Sequence, residues 1–457
     1  MRGAEKVLSS ASEQRSQTPT GWAEFDVGVP AVVLKLHRIN HAGLGIVRSL
    51  GRVGVPVYSS HNERFNPIMA SRYLAGSFIW RPNRLDDRQM LSGMLGIARN
   101  LGRRSVLIPT DDLSALFIAR HAETLAPHFL FPRQAPDVIR SVMNKGTLYE
   151  RCLELGIPAP RGTLAASPND LRRYAGSGPF PVVVKVCDPL AIVSDQTLPS
   201  TSIAWTPGDL SRISELAEAH PVGTLLLQEY IPSQFAEDWF LHAYSDERSE
   251  CRVAFTGRKL RSWPPHAGMT TLGVPRVNET LLRLSEKLIA SVGYRGLLDQ
   301  CWRLDLRDGQ YKLLDFNPRL GAQFTVSVNT AGIDVVRAAH LDLTGRAVPS
   351  SPQVEGGTLW IEDFDVLSLL QSRGAGELTF RSWLSSLRGV ETFGYWAADD
   401  PLPFTAMCAR RLGRALERPV RRTPKAIRGG RLPHYVAGRG PCLREAPEVP
   451  RAWCGGA

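Results

Sequence analysis

The stretch from Gly296 to Arg319 constrains the fold more than any other, because two runs of alternating polar and apolar residues flank a turn sequence. Arg307-Asp308-Gly309 predicts a β-hairpin with a three-residue loop and its glycine in the left-handed position. A two-residue turn at Asp308-Gly309 would mix the polar and apolar faces, and burial of one face penalises such a slip. The predicted register places polar residues opposite one another: Cys301 opposite Asp315, and Asp299 opposite Asn317. The other face is largely apolar and consists of Trp302, Leu304, Leu314 and Phe316.

The polar face of this hairpin predicts a metal site. Asp315, Asn317 and Arg319 fall at alternate positions, so along a strand they share one face. Side-chain oxygens at positions 315 and 317 suit a hard cation such as Mg²⁺, which binds substrate phosphates beside one or two carboxylates. Arg319 is within reach of anionic oxygens on that metal. The cluster indicates phosphoryl chemistry, and the alternative is an ordinary edge hairpin with solvated carboxylates.

The composition is that of a globular chain. Of the 457 residues, 43% are hydrophobic and 22% are charged, which is typical of a soluble protein with two or three domains. No apolar run approaches the roughly 18 residues that span a bilayer, and the N-terminus lacks the apolar segment of a signal peptide. The seven cysteines include no CxxC pair or zinc spacing. We therefore expect a cytoplasmic protein.

The first part of the chain predicts a tail followed by an α/β domain. Residues 1–29 are rich in Ser, Gln, Thr and Gly without periodicity, and we expect them to be disordered. Residues 30–135 alternate strands with helices and indicate a doubly wound, Rossmann-like domain. Its predicted elements are strand Ala31–Leu36, helix Ala42–Val53, strand Val55–Ser59, strand Ser105–Pro109 and a helix capped by Asp111 or Asp112 that ends at Arg120.

Residues 136–345 predict an α+β unit that ends with the hairpin and its flanking segment. It begins with one long helix, Asp137–Leu155, before Gly156. Residues 346–404 predict a small α/β appendage with a helix over 379–388. Other predicted elements of the α+β unit are strands Pro181–Val186, Leu225–Glu229, Trp239–Ser245 and Arg252–Lys259, and helices 208–219 and Asn278–Val292.

The last segment, residues 405–457, is basic. It has eleven Arg and one Lys against three Glu, and so holds nine of the eleven net positive charges. We expect a disordered, solvated tail. Within it, Ala409–Arg418 could form a basic amphipathic helix suited to weak contact with an anionic membrane. No aromatic platform interleaves the arginines, so specific nucleic-acid binding is not expected.

Two apolar strands carry polar residues that suggest a nucleotide site. Lys185 stands inside Val182–Val186, and a lysine is rarely buried without an anionic partner. It either snorkels to water or points at nucleotide phosphates. Leu225–Pro232 is an apolar strand that stops at a polar hinge, where backbone groups could read an adenine edge. Glu237 and Asp238 follow where a carboxylate could accept ribose hydroxyls.

Four motifs follow one another along the chain: Asn144-Lys145, Val184-Lys185, Gln228-Glu229-Tyr230-Ile231, and Asp315 with Asn317 and Arg319. In this order they resemble the ATP-grasp superfamily, and most of all the bacterial carboxylate–amine ligases, which include D-aspartate ligase-like proteins. The resemblance covers roughly residues 31–345 and implies a pre-ATP-grasp domain followed by an ATP-grasp domain. It also implies ATP with Mg²⁺ or Mn²⁺, and a carboxylic acid and an amine of amino-acid or peptide type as substrates.

The resemblance implies a role for each matching residue. The ATP-phosphate contacts would be Lys145 and Lys185. The adenine hinge would be Gln228, Glu229, Tyr230 and Ile231, and the ribose acid Glu237 or Asp238. The metal ligands would be Asp315 and Asn317, and Arg319 would steady an acyl phosphate. The substrate-side strand and loop would supply Lys259 and Arg261 as phosphate or carboxylate contacts, with His266 a loop histidine rather than a base.

Two departures from the family pattern leave two functions open. Cys301 occupies the position of the first metal carboxylate and is a poor ligand for Mg²⁺, so Asp299 is the predicted substitute. The loop Cys187–Ser202 lacks the usual glycines over the phosphates. The first hypothesis is an ATP-dependent ligase that forms an amide through an acyl phosphate, releasing ADP and phosphate. The alternative is an ATP-binding pseudoenzyme or regulatory module, docked by its basic tail to a membrane or partner.

Overall fold

The computed structural model describes residues 23–34, 42–61, 65–80, 86–191, 199–219, 223–265, 268–374 and 378–420, the last seven of these by backbone alone. No helix among the described residues is long and apolar enough to cross a membrane. The predicted tail beyond residue 420, His266 and residues 192–198 of the predicted phosphate loop lie outside these residues.

The N-terminal domain is a five-stranded parallel sheet in the order β3-β2-β1-β4-β5. Alternate residues of the first strand belong to different hydrophobic cores. Ala31 and Val33 pack in the core on one face of the sheet, and Val32 and Leu34 pack in the core on the other face. Both faces of the sheet are therefore covered, as predicted. The strands are β1 Ala31–Leu34, β2 Val57–His61, β3 Leu74–Ile79, β4 Ser105–Pro109 and β5 Phe129–Leu130. The helices are α1 Ala42–Gly51, α2 Asp87–Leu101, α3 Asp112–Arg120 and α4 Ala122–Leu125.

The expectation of disorder over residues 1–29 does not hold for residues 23–29. Phe25 and Val29 pack against the core beneath the parallel sheet. The carbonyl oxygen of Val29 lies 2.9 Å from Nε2 of the buried His340. Apolar side chains that find a core surface outweigh the polar composition of the surrounding segment. Residues 1–22 lie outside the described part of the chain.

The long helix predicted over Asp137–Leu155 is two helices, α5 Pro136–Met143 and α6 Lys145–Leu155. Asn144 separates them with extended backbone, and its side chain accepts hydrogen bonds from the backbone N–H groups of residues 146 and 147. An asparagine that caps a new helix competes in this way with continuation of the old one. The break places Lys145 in the first turn of α6.

The middle of the chain forms a four-stranded antiparallel sheet in the order β6-β9-β7-β8. One face is covered by two helices and includes Val182, Val184 and Val186. The intervening Val183 and Lys185 therefore point to the opposite face. The elements are β6 Gly162–Ala165, α7 Pro168–Ser177, β7 Val182–Val186, β8 Thr201–Ala204, α8 Pro207–Ala219 and β9 Leu225–Glu229.

A seven-stranded sheet, in the order β14-β13-β10-β11-β12-β15-β16, holds the rest of the core. Its pairs are antiparallel except for the last, β15 with β16. The strands are β10 Ala236–Ser245, β11 Cys251–Trp263, β12 Met269–Pro275, β13 Gly296–Asp305, β14 Gln310–Asn317, β15 Leu359–Trp360 and β16 Thr392–Phe393. The helices are α9 Glu279–Val292, α10 Val335–Leu343, α11 Glu362–Gly374, α12 Phe380–Ser386 and α13 Leu402–Val420. Short 3₁₀ turns lie at Pro67–Ala70, Ser233–Phe235 and Ala322–Val326.

The C-terminal segment is joined to the rest of the molecule more closely than an appendage would be. Strands β15 and β16 extend the sheet that holds the hairpin. Asp400 accepts hydrogen bonds from Arg48 and Ser71 of the N-terminal domain, at 2.9 and 2.7 Å. Helix α13 contains the predicted basic helix Ala409–Arg418, so the first part of the predicted tail is helical.

Candidate active site

The hairpin has the predicted register at its polar end but a different loop. Asp305 pairs with Gln310, so residues 306–309 form a four-residue loop rather than three. Gly309 has φ +70°, the left-handed conformation expected of it. The polar pairs are as predicted: Cys301 with Asp315, and Asp299 with Asn317.

A bulge at Leu314 reconciles the longer loop with the predicted pairs, because Trp302 pairs with Leu313 instead of Leu314. Leu313 packs with Trp302 and Phe316 in the core. Leu314 was predicted on that apolar face but lines the cavity described next. Its carbonyl oxygen accepts a hydrogen bond from Nζ of Lys185 at 2.8 Å. The bulge thus supplies a backbone partner for a buried lysine.

A cavity lies between the four-stranded sheet and the hairpin side of the seven-stranded sheet. It encloses about 890 Å³ of space, part of it open to solvent. Apolar walls come from Val183, Ile203, Trp302 and Leu314. The structure brings nine of the predicted site residues to this one cavity: Lys145, Lys185, Gln228, Glu229, Tyr230, Ile231, Asp238, Lys259 and Asp315.

One end of the cavity is cationic around a single carboxylate. Nζ of Lys145 lies 3.4 Å from Oδ1 of Asp315. Burial opposes ionisation of Asp315, but the charges of Lys145, Lys185 and Arg319 outweigh it and hold the pKa of this carboxyl below its usual value. Lys185 forms no ion pair with any described residue, and burial lowers its pKa to about 8. This end is suited to an anionic ligand that supplies the missing charge.

Lys259 reaches the same end from strand β11. Its Nζ donates to Sγ of Cys301 at 3.2 Å. Burial opposes the charge on Lys259, yet the nearby anionic groups raise its pKa above the usual value. Cys301 stands next to Asp315 across the hairpin, so the ammonium is held close to that carboxylate.

Asp299 and Asn317 are locked into a network beside the cavity. Oδ1 of Asp299 lies 3.2 Å from Nε2 of both His242 and Gln323. Oδ2 lies 3.3 Å from Nη1 of Arg319, which also donates from Nη2 to Oδ1 of Asn317 at 3.0 Å. Asp299 is 4% exposed and Asn317 8%. The predicted substitute ligand Asp299 therefore has both carboxylate oxygens occupied by protein groups.

Arg319 also connects the network to the N-terminal domain. Its Nε lies 3.4 Å from Oδ1 of Asp112 in the first turn of α3. Asp111 caps that helix by accepting from the backbone N–H of Ser114, which leaves Asp112 to face the site. Burial raises the pKa of Asp112. Sequence reasoning placed either aspartate at the cap and missed the contact, because it depends on how two domains meet.

The hinge at the end of β9 carries one side chain whose acceptor oxygen is unpaired within the described part of the chain, Gln228, and one whose carboxylate is already paired, Glu229. Gln228 donates from Nε2 to the carbonyl oxygen of Pro160 at 3.3 Å. Its Oε1 is buried without a hydrogen-bond partner among the described residues. Glu229 turns its carboxylate away from a ligand role, since Lys312 and Arg161 donate to it. The side chain of Gln228 is thus the hinge acceptor that a ligand could use.

The two predicted ribose acids have different positions. Asp238 lines the cavity and accepts from Nε and Nη2 of Arg303 at 2.7 and 2.9 Å. Glu237 is paired with Arg258 at 3.0 Å and does not line the cavity. Arg303 itself lines the cavity and was missed, although its position opposite Asp238 on β13 follows from the strand pairing.

The structure does not bring Arg261 to the cavity. Its Nε and Nη2 donate to the two oxygens of Asp365 at 2.7 and 2.8 Å, and Nη1 donates to Ser386. A regular strand would place Lys259 and Arg261 on one face, but the bulge at Leu260 reverses the alternation. Arg261 therefore holds α11 and α12, while Lys259 faces the cavity.

The donor set fits a nucleotide with a divalent ion better than it fits an ion held by protein alone. No group of three or more His, Cys, Asp and Glu side chains is positioned to hold a metal among the described residues. Asp315 is the carboxylate at the cationic end whose side chain remains 31% exposed. Mg²⁺ often binds through one or two carboxylates plus substrate phosphates, and Asp315 meets that requirement.

No family model matches the chain. It is 25% identical to D-aspartate ligase of Enterococcus faecium over 264 residues, 55% of this chain and 62% of that protein. The match thus spans less than two thirds of the relative. Among solved structures it resembles the biotin carboxylase–ATP complex of Campylobacter jejuni, with a TM-score of 0.54 and 14% identity over 73% of this chain and 75% of that one. It also resembles L-amino acid ligase of Bacillus licheniformis, with a TM-score of 0.52 and 14% identity over 69% and 74%.

Proposed function

Because the chain has the ATP-grasp fold that its sequence predicted, we propose that it is an ATP-dependent carboxylate–amine ligase. The observation that carries the proposal is the convergence of Lys145, Lys185, Lys259 and Asp315 on one cavity with an apolar, hinge-bounded end. The similarity to D-aspartate ligase and the likeness of fold to an L-amino acid ligase support a carboxylic acid and an amine of amino-acid type as substrates.

The nucleotide would lie with its base at the hinge. Gln228 Oε1 is a buried acceptor, which suits the exocyclic amino group of adenine. Ile203, Ile231 and Trp302 provide the apolar walls that a base needs. Asp238, which lines the cavity and is oriented by Arg303, would accept the ribose hydroxyls. The triphosphate then extends toward the lysines.

The protein's contribution to chemistry is positioning and charge. Lys145 and Lys185 would bind the phosphates, and Asp315 would hold the divalent ion, Mg²⁺ or Mn²⁺, that draws charge from them when bound. An oxygen of the acid substrate would attack the γ-phosphorus, breaking its bond to the β,γ-bridging oxygen and giving an acyl phosphate and ADP. The amine would next attack the acyl carbon, expel phosphate and lose a proton. We expect Arg319, which is paired with Asp299 and Asp112 beside the cavity, to steady the acyl phosphate.

A panel of amino acids and dipeptides as acid and amine, with MgATP and ADP release as the readout, tests the proposal. Asp315→Asn should lower the rate about 10²–10³-fold in the pair that turns over, since it removes one preorganised electrostatic partner. Glu218→Gln, an exposed carboxylate on α8, is the matched control and should leave the rate unchanged. An Asp315→Asn rate equal to the native one would contradict the assignment.

Positional isotope exchange tests the intermediate. ATP labelled in the β,γ-bridging oxygen should scramble its label when only the acid is present, because ADP formed beside an acyl phosphate can rotate and reverse. Scrambling that needs the amine would contradict a free-standing acyl phosphate step.

The pseudoenzyme is a second candidate, favoured by Cys301 at a metal position and by the occupied oxygens of Asp299. It predicts ATP binding by calorimetry without ADP release for any acid and amine. Contact of the basic tail with an anionic membrane stays a prediction, because residues 421–457 lie outside the described part of the chain.

A further inference from the structure

The contact between Lys259 and Cys301 occupies the place on the hairpin where a second metal carboxylate would stand. Cys301 lies opposite Asp315, so an acidic residue there would put two carboxylates around one point. Instead a thiol is present, which is a poor ligand for a hard cation. Nζ of Lys259 fills the space beside Sγ at 3.2 Å.

Neighbouring groups cannot restore the missing carboxylate without breaking existing contacts. Both oxygens of Asp299 have partners: Oδ1 accepts from Gln323 and lies 3.2 Å from Nε2 of His242, and Oδ2 accepts from Arg319. The side-chain oxygen of Asn317 accepts from Arg319. Swinging Asp299 toward the cavity would leave those donors unpaired in a buried site, and each buried unsatisfied group is costly.

Lys259 is held by the charges of neighbouring groups, Asp238 and Asp299 among them, rather than by a close ion pair. No carboxylate among the described residues forms an ion pair with it, and its neighbour Cys301 is a weak acceptor. Lys145 has Asp315 as a partner, whereas Lys185 has a carbonyl oxygen. At this end of the cavity three ammonium groups therefore lie around the carboxylate of Asp315, and this excess of positive charge suits an anionic ligand.

Resting on the proposed function, we propose that this site binds ATP with a single divalent ion, held by Asp315. The ammonium of Lys259, steadied by Cys301, supplies at the adjacent position the charge that a second ion would bring. The nucleotide then depends on divalent ions less than it would in a site with two metal carboxylates.

Counting bound Mn²⁺ tests the proposal directly. Protein in excess over the non-hydrolysable imido analogue of ATP is titrated with Mn²⁺, and free Mn²⁺ is followed by electron paramagnetic resonance. We expect about one tightly bound Mn²⁺ per nucleotide in the native protein and in Cys301→Ser, because neither places a second carboxylate there. Cys301→Asp should bind a second ion. Two tightly bound ions in the native protein, or still one in folded Cys301→Asp, would overturn the inference.

Removing the charge at position 259 gives an independent measurement. With EDTA present, Lys259→Met should weaken binding of the imido analogue about 10- to 100-fold, the loss of one charge-assisted contact. Lys287→Met, an exposed lysine on α9, should leave it unchanged. Unchanged affinity in Lys259→Met would overturn the role of that lysine. Absence of nucleotide binding in the native protein would refute the proposed function as well, whereas two bound ions would refute this inference alone.

Discussion

Two buried lysines on facing sheets show how the same side chain can serve the fold or await a ligand. Nζ of Lys312 on β14 lies within 2.7–2.9 Å of carboxylate oxygens from Asp305, Glu229 and Asp308. Nζ of Lys185 on β7 has the carbonyl oxygen of Leu314 at 2.8 Å and no ion pair among the described residues. Both lysines are less than a tenth exposed.

The pKa values of the two lysines move in opposite directions. Burial opposes the charge of Lys312, but Asp305, Asp308 and Glu229 outweigh it and raise its pKa. Burial dominates at Lys185 and lowers its pKa to about 8. The ammonium of Lys312, which has three carboxylate partners, stabilises the hairpin. The ammonium of Lys185, which has a carbonyl oxygen as its partner instead, lowers the stability of the fold, and a bound phosphate would offset that cost. Burial alone does not separate these cases; the neighbouring charges do.

The largest effect is expected from removing Lys312 from its cluster with Asp305, Glu229 and Asp308. Lys312→Met should lower the free energy of unfolding by about 3 kcal/mol, because Asp305 and Glu229 each lose one charge-assisted partner in a buried site, although Arg307 and Arg161 still donate to them. The loss should shrink in acid. Hydrogen bonds from Arg307, and next from Lys312, outweigh burial and hold the pKa of Asp305 below its usual value. The stability that ionised Asp305 contributes is therefore present at neutral pH and is lost as the pH falls through that lowered pKa. Urea unfolding at several pH values measures this, with Lys287→Met as the control; a loss below 1 kcal/mol at neutral pH would contradict the comparison.

The opposite pattern is expected at Lys185. Lys185→Met should weaken binding of MgATP about 10- to 100-fold, since a charge-assisted hydrogen bond to phosphate is lost. At pH 7 its free energy of unfolding should not fall, because the native protein bears the cost of a buried ammonium there. That cost is constant below pH about 8 and is relieved as pH rises from there toward the usual lysine range. Calorimetry measures the affinity of the Lys185→Met variant for MgATP, and urea unfolding measures its stability. A loss of stability with unchanged affinity would show that Lys185 serves the fold and not a ligand.

The smallest effect sharpens the same comparison. Lys185 is about half protonated near pH 8, and a bound phosphate should raise its pKa, so MgATP binding at that pH should take up about half a proton. Calorimetric heats in buffers of different ionisation enthalpy report this uptake. It should be absent in Lys185→Met and present in Lys287→Met. Heats that do not depend on the buffer in the native protein would show that Lys185 is already charged.

Local alternation was enough to place the polar pairs of the hairpin, and it failed where bulges interrupt it. Asp315 and Asn317 stand opposite their predicted partners although the loop is one residue longer than predicted. The bulge at Leu314 compensates for the extra loop residue. It could not be predicted from the sequence, because positions 313 and 314 are both leucine and either could face the core. The bulge at Leu260 likewise separated Lys259 from Arg261.

Motif order along the chain determined the fold and nine of the residues that line one cavity, because a strand's alternation and a hinge between strands are local properties. Only the tertiary structure decided which charged groups were satisfied. Lys312 forms an ion pair with Glu229, and Arg261 forms one with Asp365. Arg319 forms ion pairs with both Asp299 and Asp112. The partners in these four pairs are 20 to 207 positions apart along the chain and come together only when sheets and domains pack. A residue's charge is written in the sequence, whereas whether that charge remains available for a ligand depends on which distant group packing brings beside it.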